Sequence, residues 1–107
     1  MTERIDIKGR PAMFEWDEAK RRANLAKHRL DFRDAVALFD GRPRLEGPAA
    51  FRDEARHVTV GVLGEVHVTL VWTWHLDRRR LISFRRARRE ERQACSQAFV
   101  GGPDSDV

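Results

Sequence analysis

HVTVGVLGEVHVTLVWTW, His57 to Trp74, is where the chain shows its strongest period. Val58, Val60 and Val62 alternate with His57, Thr59 and Gly61, and Leu63-Gly64-Glu65 then reads as a hairpin turn. Val66, Val68, Leu70, Trp72 and Trp74 alternate in turn with His67, Thr69, Val71 and Thr73. Period two with β-branched and aromatic residues predicts two antiparallel strands. A second reversal at Leu76-Asp77-Arg78 leads into a third strand, roughly Arg79–Phe84. Regular alternation puts Arg80, Ile82 and Phe84 on one of its faces and Arg79, Leu81, Ser83 and Arg85 on the other.

Outward from this hairpin the period changes. Asp17 is an N-cap, with Glu18 in the positive first turn of a helix. Ala19, Ala23, Ala26 and Leu30 form a narrow stripe at helical spacing, while Lys20, Arg21, Asn24 and Lys27 take the other faces. Asp31 caps a second helix, with Asp34 at its third position, Phe32, Ala35, Val36 and Phe39 on one side, and Gly41 and Pro43 ending it. Residues 42–54 are irregular, with a short edge strand near Leu45. Residues 86–99 read as a closing helix with Ala87, Ala94 and Ala98 on one side. Glu91 falls on that stripe, so it either pairs with Arg88 within the helix or reaches a cleft. The sum is an α+β domain over residues 1–107. Two N-terminal helices and a C-terminal helix pack on one face of a small antiparallel sheet of three to four strands. Residues 1–13 and 100–107 read as loose ends.

Charged residues make up 36 % of the 107, and the net charge is +4. Arg78–Arg92 holds eight arginines and two glutamates, which is +6, so the rest of the chain carries −2. The basic character is local, and a local basic patch speaks of a partner. Arginines interleaved with core residues on a strand are held by the sheet, which favours phosphate or an acidic partner over a solvated face. No apolar run approaches the roughly 20 residues of a membrane span. The N-terminus has no apolar signal region, and the single Cys95 fits a small buried thiol in a reducing cytoplasm. Zinc spacing, a Walker loop and a basic region with heptads are all missing, which counts against the standard DNA-reading modules. His28, His57, His67 and His75 lack metal-ligand spacing, so no metal and no cofactor is expected. His57 and His67 read as ordinary sheet residues with proton transfer left open. Trp72 and Trp74 read as core, with base stacking as the alternative.

Phe14-Glu15-Trp16-Asp17, Lys20, Asn24, Lys27-His28, Phe32, Ala35 and Phe39-Asp40 together carry a resemblance. So do Arg56 before Val58-Thr59-Val60-Gly61, then Thr73, Arg80-x-Ile82-Ser83-x-Arg85 with Arg86-Ala87, and Glu91-Arg92. Over about residues 13–95 the chain resembles the BrnT family of type II toxins. It departs from that pattern at Phe84, where a small residue is usual, at Cys95, where tyrosine is frequent, and at Trp74-His75, which replaces a more polar pair. The resemblance implies a RelE-like fold and an endoribonuclease that arrests translation without metal. It implies a BrnA-like ribbon-helix-helix antitoxin as partner, operator DNA bound through the complex, and a 2:2 heterotetramer. RNA cleavage needs a base for the 2′-hydroxyl, charge stabilisation at the phosphate and an acid for the leaving oxygen. Arg56, Arg80 and Arg85 are assigned to the cationic clamp. Glu91 is assigned as base or as orienter of Arg85, and Lys27 or His28 as proton donor. Arg79, Arg86, Arg88 and Arg89 complete the RNA-binding set. A catalytically silent basic binding module and a direct DNA-binding regulator are the rival readings.

Overall fold

The computed structural model describes residues 2–5, 13–51 and 54–99. In chain order the elements are β1 (Thr2–Ile5), β2 (Phe14–Asp17), α1 (Glu18–His28), α2 (Phe32–Ala35), a 3-10 turn (Val36–Phe39) and β3 (Leu45–Phe51). They continue with β4 (Glu54–Leu63), β5 (Val66–His75), β6 (Arg78–Arg86) and α3 (Arg89–Phe99). The caps sit where the sequence places them. The Asp17 carboxylate accepts from the backbone of Ala19 and Lys20, and that of Asp31 from Arg33. Arg29, with φ 59°, closes α1 in the left-handed region.

The α+β class holds, but the sheet is broader and mixed. Six strands run in the order β1-β2-β6-β5-β4-β3. The two long hairpin strands, β4 and β5, both lie inside the sheet and pair with each other. What alternation does not reveal are the short or atypical strands. β2 has four residues, and it pairs parallel to β6 through Phe14↔Arg79 and Glu15↔Arg80. Part of the expected loose N-terminal arm is paired: Thr2–Ile5 runs antiparallel to Phe14–Asp17. Of the other expected loose residues, 1, 6–12 and 100–107 lie outside the described residues. The edge strand expected near Leu45 is present, but it is longer than a short strand within an irregular stretch. Leu45–Phe51 pairs fully with β4, and its Pro48 is tolerated because β3 is an edge strand.

The helices lie on both faces, not one. On the first face Phe14, Trp16, Val68, Leu70, Trp72, Leu81 and Phe84 meet Phe32, Ala35 and Leu38 in the main core. Thr59 belongs to this side, its hydroxyl accepting from Trp72 Nε1 at 2.8 Å. Gly61 does too: a Cβ there would stand 2.7 Å from Leu38 Cδ2. On the second face α3 brings Cys95 against Val60 and Ala87, with Leu45 and Val58 beside them. The alanine stripes are therefore not the buried sides of their helices. Ala94 and Ala98 of α3 are exposed while Cys95 is buried.

In α1, Ala19, Ala23 and Ala26 are exposed, and Asn24 is the buried residue. Pairing of β2 with β6 reaches only Glu15↔Arg80, so the later part of β6 lacks a strand neighbour on that side. Asn24 stands in for one. Its Oδ1 accepts from Phe84 N–H at 3.0 Å, and its Nδ2 donates to Phe84 O at 2.8 Å and Leu30 O at 3.0 Å. A buried backbone pair is satisfied by a side chain, so hydropathy gives no sign of it.

Candidate functional site

The site begins with an irregularity in β6. Trp72 faces Leu81 and Val71 faces Ser83, so Ile82 is an extra residue, a β-bulge. Leu81 and Phe84 consequently share the main core, three residues apart. Arg80 and Arg85, at an odd spacing that regular alternation would split, share the opposite face. The expected division of this strand, with Phe84 beside Arg80, is thus corrected. Arg79 goes the other way. Its guanidinium lies over the rings of Phe39 at 4.2 Å, Trp72 at 4.8 Å and Trp74 at 4.9 Å, and burial lowers its pKa.

Arg85 is clamped by Glu91 in a bidentate pair, Nη1 to Oε1 and Nη2 to Oε2, each 2.9 Å. Glu91 Oε1 also accepts from the Thr69 hydroxyl at 2.9 Å and from the Arg88 backbone N–H at 2.7 Å. The last bond is one half of a capping box at the start of α3. Glu91 therefore fastens β5, β6 and α3 together, and what it takes from Arg88, the residue before α3, is the backbone N–H. Arg85 foremost, with Arg88 N–H and Thr69 assisting, holds its pKa down to about 2 against an ordinary 4.5. A carboxylate so saturated is a weak proton acceptor. Arg85 itself keeps Nε–H and one Nη2–H uncommitted among the described residues.

Beside Arg85 runs an open groove of about 350 Å³ lined by Lys27, His28, Arg85, Arg86 and Arg88. A second hollow of about 290 Å³ shares Lys27 and His28 and extends along β6 past Ser83 and Ile82 to Lys20. Burial, Lys27 and Arg85 together lower the pKa of His28, which favours its neutral form. Lys27, Arg86 and Arg88 are exposed.

Arg80 ends the face. Its Nη1 donates to Glu15 Oε2 at 2.7 Å, and His75 Nδ1 lies 2.6 Å from the same oxygen. Arg56 belongs to the same face by alternation with Val58 and Val60, and the adjacent Ala55 O accepts from the hydroxyl of Thr73, whose own partner is Arg80. The structure thus gathers Lys27, His28, Arg85, Arg86 and Arg88 at one end and sets Arg80 and Arg56 further along. It takes Arg79 to the other face, and it places Arg89 exposed in the first turn of α3. Glu15 and His75 are absent from the sequence-based set. The Phe-Glu-Trp-Asp motif marks Glu15, but only the parallel register shows what it faces. Trp72 is core, Trp74 is half exposed, and His57 stacks on Trp72 at 4.5 Å.

A strand mounting half-engaged guanidinium groups beside a cationic groove offers the donors that suit a polyanion. The chain belongs to the BrnT family: the family model for the ribonuclease toxin BrnT of type II toxin–antitoxin systems matches residues 16–91. An antitoxin partner and ribonuclease chemistry are the properties of that family. No curated protein matches the chain. Among the described residues, no helix is long and apolar enough to cross a membrane, and no three His, Cys, Asp or Glu side chains group as a metal site.

Proposed function

We propose that this chain is itself an active endoribonuclease toxin that grips single-stranded RNA along the β6 face and cleaves it without metal. The observation that carries this reading is the bulge at Ile82, which brings Arg80 and Arg85 to one face. Each guanidinium is fixed by a carboxylate and keeps further N–H groups for phosphate oxygens. Arg80 and Arg85 face Thr73 and Thr69, four steps of β5, which is about 13 Å at roughly 3.3 Å per residue, enough for more than one phosphate of an extended strand. Lys27, His28, Arg86 and Arg88 widen the grip, and Arg56 supports the Arg80 end. Electrostatic stabilisation of the phosphorane by these fixed cations is the main catalytic contribution. Glu91 acts here as the orienter of Arg85.

The partner in this reading is a BrnA-like ribbon-helix-helix antitoxin that covers the arginines, assembles as a 2:2 complex in the cytoplasm and binds operator DNA. The RelE-like kinship implied by the sequence belongs to the same reading. The silent binding module is the second reading, and one observation favours it: Glu91, the carboxylate nearest the groove, is fully occupied.

Brief induction in a bacterial host, with protein synthesis and RNA integrity followed together, tests the first reading. Wild type should arrest synthesis and cleave RNA. Arg80→Ala/Arg85→Ala should do neither. That double variant takes the guanidinium partners from Glu15 and Glu91, so Lys27→Ala/Arg86→Ala/Arg88→Ala, altered only at exposed positions, serves beside it and should weaken both effects. Well-folded wild type without RNA cleavage would leave the binding module.

A further inference from the structure

Glu15 is 1 % exposed, yet its Oε2 serves two exposed partners. Arg80 reaches it at 2.7 Å and His75 Nδ1 at 2.6 Å, their side chains 36 % and 53 % exposed. A buried carboxylate is costly unless paired, and Arg80 alone would pair it. His75 is surplus to that need. It sits at the end of β5 opposite Arg78, with most of its ring in solvent, and ordering it there gains little burial. What the contact does is chemical. A carboxylate accepts, so in the neutral imidazole this contact selects the Nδ1–H tautomer, which puts the lone pair on Nε2, across the ring from Glu15. Arg80, held by the same oxygen atom, keeps Nε and Nη2 uncommitted among the described residues. An oriented proton acceptor therefore stands beside a fixed phosphate ligand, on the face that the bulge also gives to Arg85.

We propose that His75 is a catalytic proton acceptor for RNA cleavage and that Glu15 is its positioning residue. This rests on the ribonuclease reading above and deepens it by placing the scissile phosphate at Arg80. His75 Nε2 takes the proton of the 2′-hydroxyl, and the 2′-oxygen forms a bond to phosphorus. The bond from phosphorus to the 5′-oxygen breaks, and that oxygen takes a proton from water. The hydroxide so formed removes the proton from the imidazolium. The products are a 2′,3′-cyclic phosphate and a 5′-hydroxyl. The charged groups set around His75 are Glu15 from β2, Arg78 and Arg80 from β6, Asp77 from the adjoining turn, and Arg56 of β4 beyond Thr73.

The test uses the full chain made by cell-free synthesis and an end-labelled single-stranded RNA. His75→Gln, half exposed and checked by melting, should cleave about 10²-fold more slowly or worse. Its affinity for a 2′-deoxy-substituted oligonucleotide of the same sequence should be unchanged. The acid-side fall of the wild-type pH–rate profile should flatten in the variant. Imidazole added to His75→Ala should restore cleavage, which a purely structural histidine would not allow. Wild-type ends should be cyclic phosphates. If His75→Gln cleaves at the wild-type rate with the same pH profile, the proposal is overturned while the ribonuclease reading stands. If the folded wild type cleaves nothing, the ribonuclease reading falls and takes this proposal with it.

Discussion

Asn24 is a single polar side chain on which the seat of α1 depends. It satisfies the N–H and C=O of Phe84 at a point where β6 has no strand neighbour on the side away from β5. Asn24→Ala would leave both groups buried and unpaired, and should cost about 2–3 kcal/mol in urea unfolding. A loss below about half a kcal/mol would mean that water replaces it. Leu76 shows the opposite case. It is 80 % exposed in the β5–β6 turn with φ 58°, a conformation that disfavours a branched side chain. Leu76→Gly should therefore stabilise the fold by about 0.5–1 kcal/mol, read from the same unfolding curves. Neither role was legible in the sequence. Asn24 sits among charged neighbours on an alanine-rich helix, and its value is a hydrogen-bond geometry to a residue sixty positions away.

β6 and α3 are joined through Glu91, and this junction has a pH signature. The folded carboxyl, at about 2, binds its proton less tightly than the ordinary value of 4.5. Its contribution is thus fully present above pH 4.5 and is lost as pH falls from there through about 2. With the side chain 23 % exposed, solvent screening trims the contribution to about 2–3 kcal/mol. Glu91→Gln should lower stability by that amount at pH 7 and flatten the stability profile between pH 4.5 and 2. An unchanged slope across that window would contradict the junction. Among the elements the sequence is uneven evidence. Strict alternation makes β4 and β5 plain, and Asp17 and Asp31 announce their helices. The bulge is invisible, because an extra Ile82 in a strand looks like any other apolar residue, and period two then assigns Phe84 and Arg80 to the same side. The four residues of β2 are too few for a period, and a parallel partner some sixty-five residues away leaves no local mark.

Over the whole molecule, charge and burial divide the sheet. One face is sealed by α2, the 3-10 turn and the main core, while α1 lies along the outer edge of β6. The other is covered by α3 only near Val60 and Cys95, and its remaining length carries Arg56, Arg80 and Arg85. The basic region is legible in the sequence as a strand and helix start, since eight arginines within Arg78–Arg92 need no structure to be noticed. What stays hidden there is that Arg79 turns inward onto Phe39 while Arg80 and Arg85 turn outward together. Binding through such a face should be salt-dependent. Arg86→Ala/Arg88→Ala should reduce the slope of log affinity against log salt for single-stranded RNA by about 0.7 for each phosphate that the variant no longer neutralises. An unaltered slope would place the RNA elsewhere. The proposed function is RNA cleavage at this face. The most direct measurement is single-turnover cleavage of a labelled single-stranded RNA by purified wild type, beside folded Lys27→Ala/Arg86→Ala/Arg88→Ala. Wild type should cleave, and the variant should show a clear fall in rate that saturating protein partly recovers. Cleavage at the wild-type rate by the variant, at every protein concentration, would contradict a catalytic role for this face.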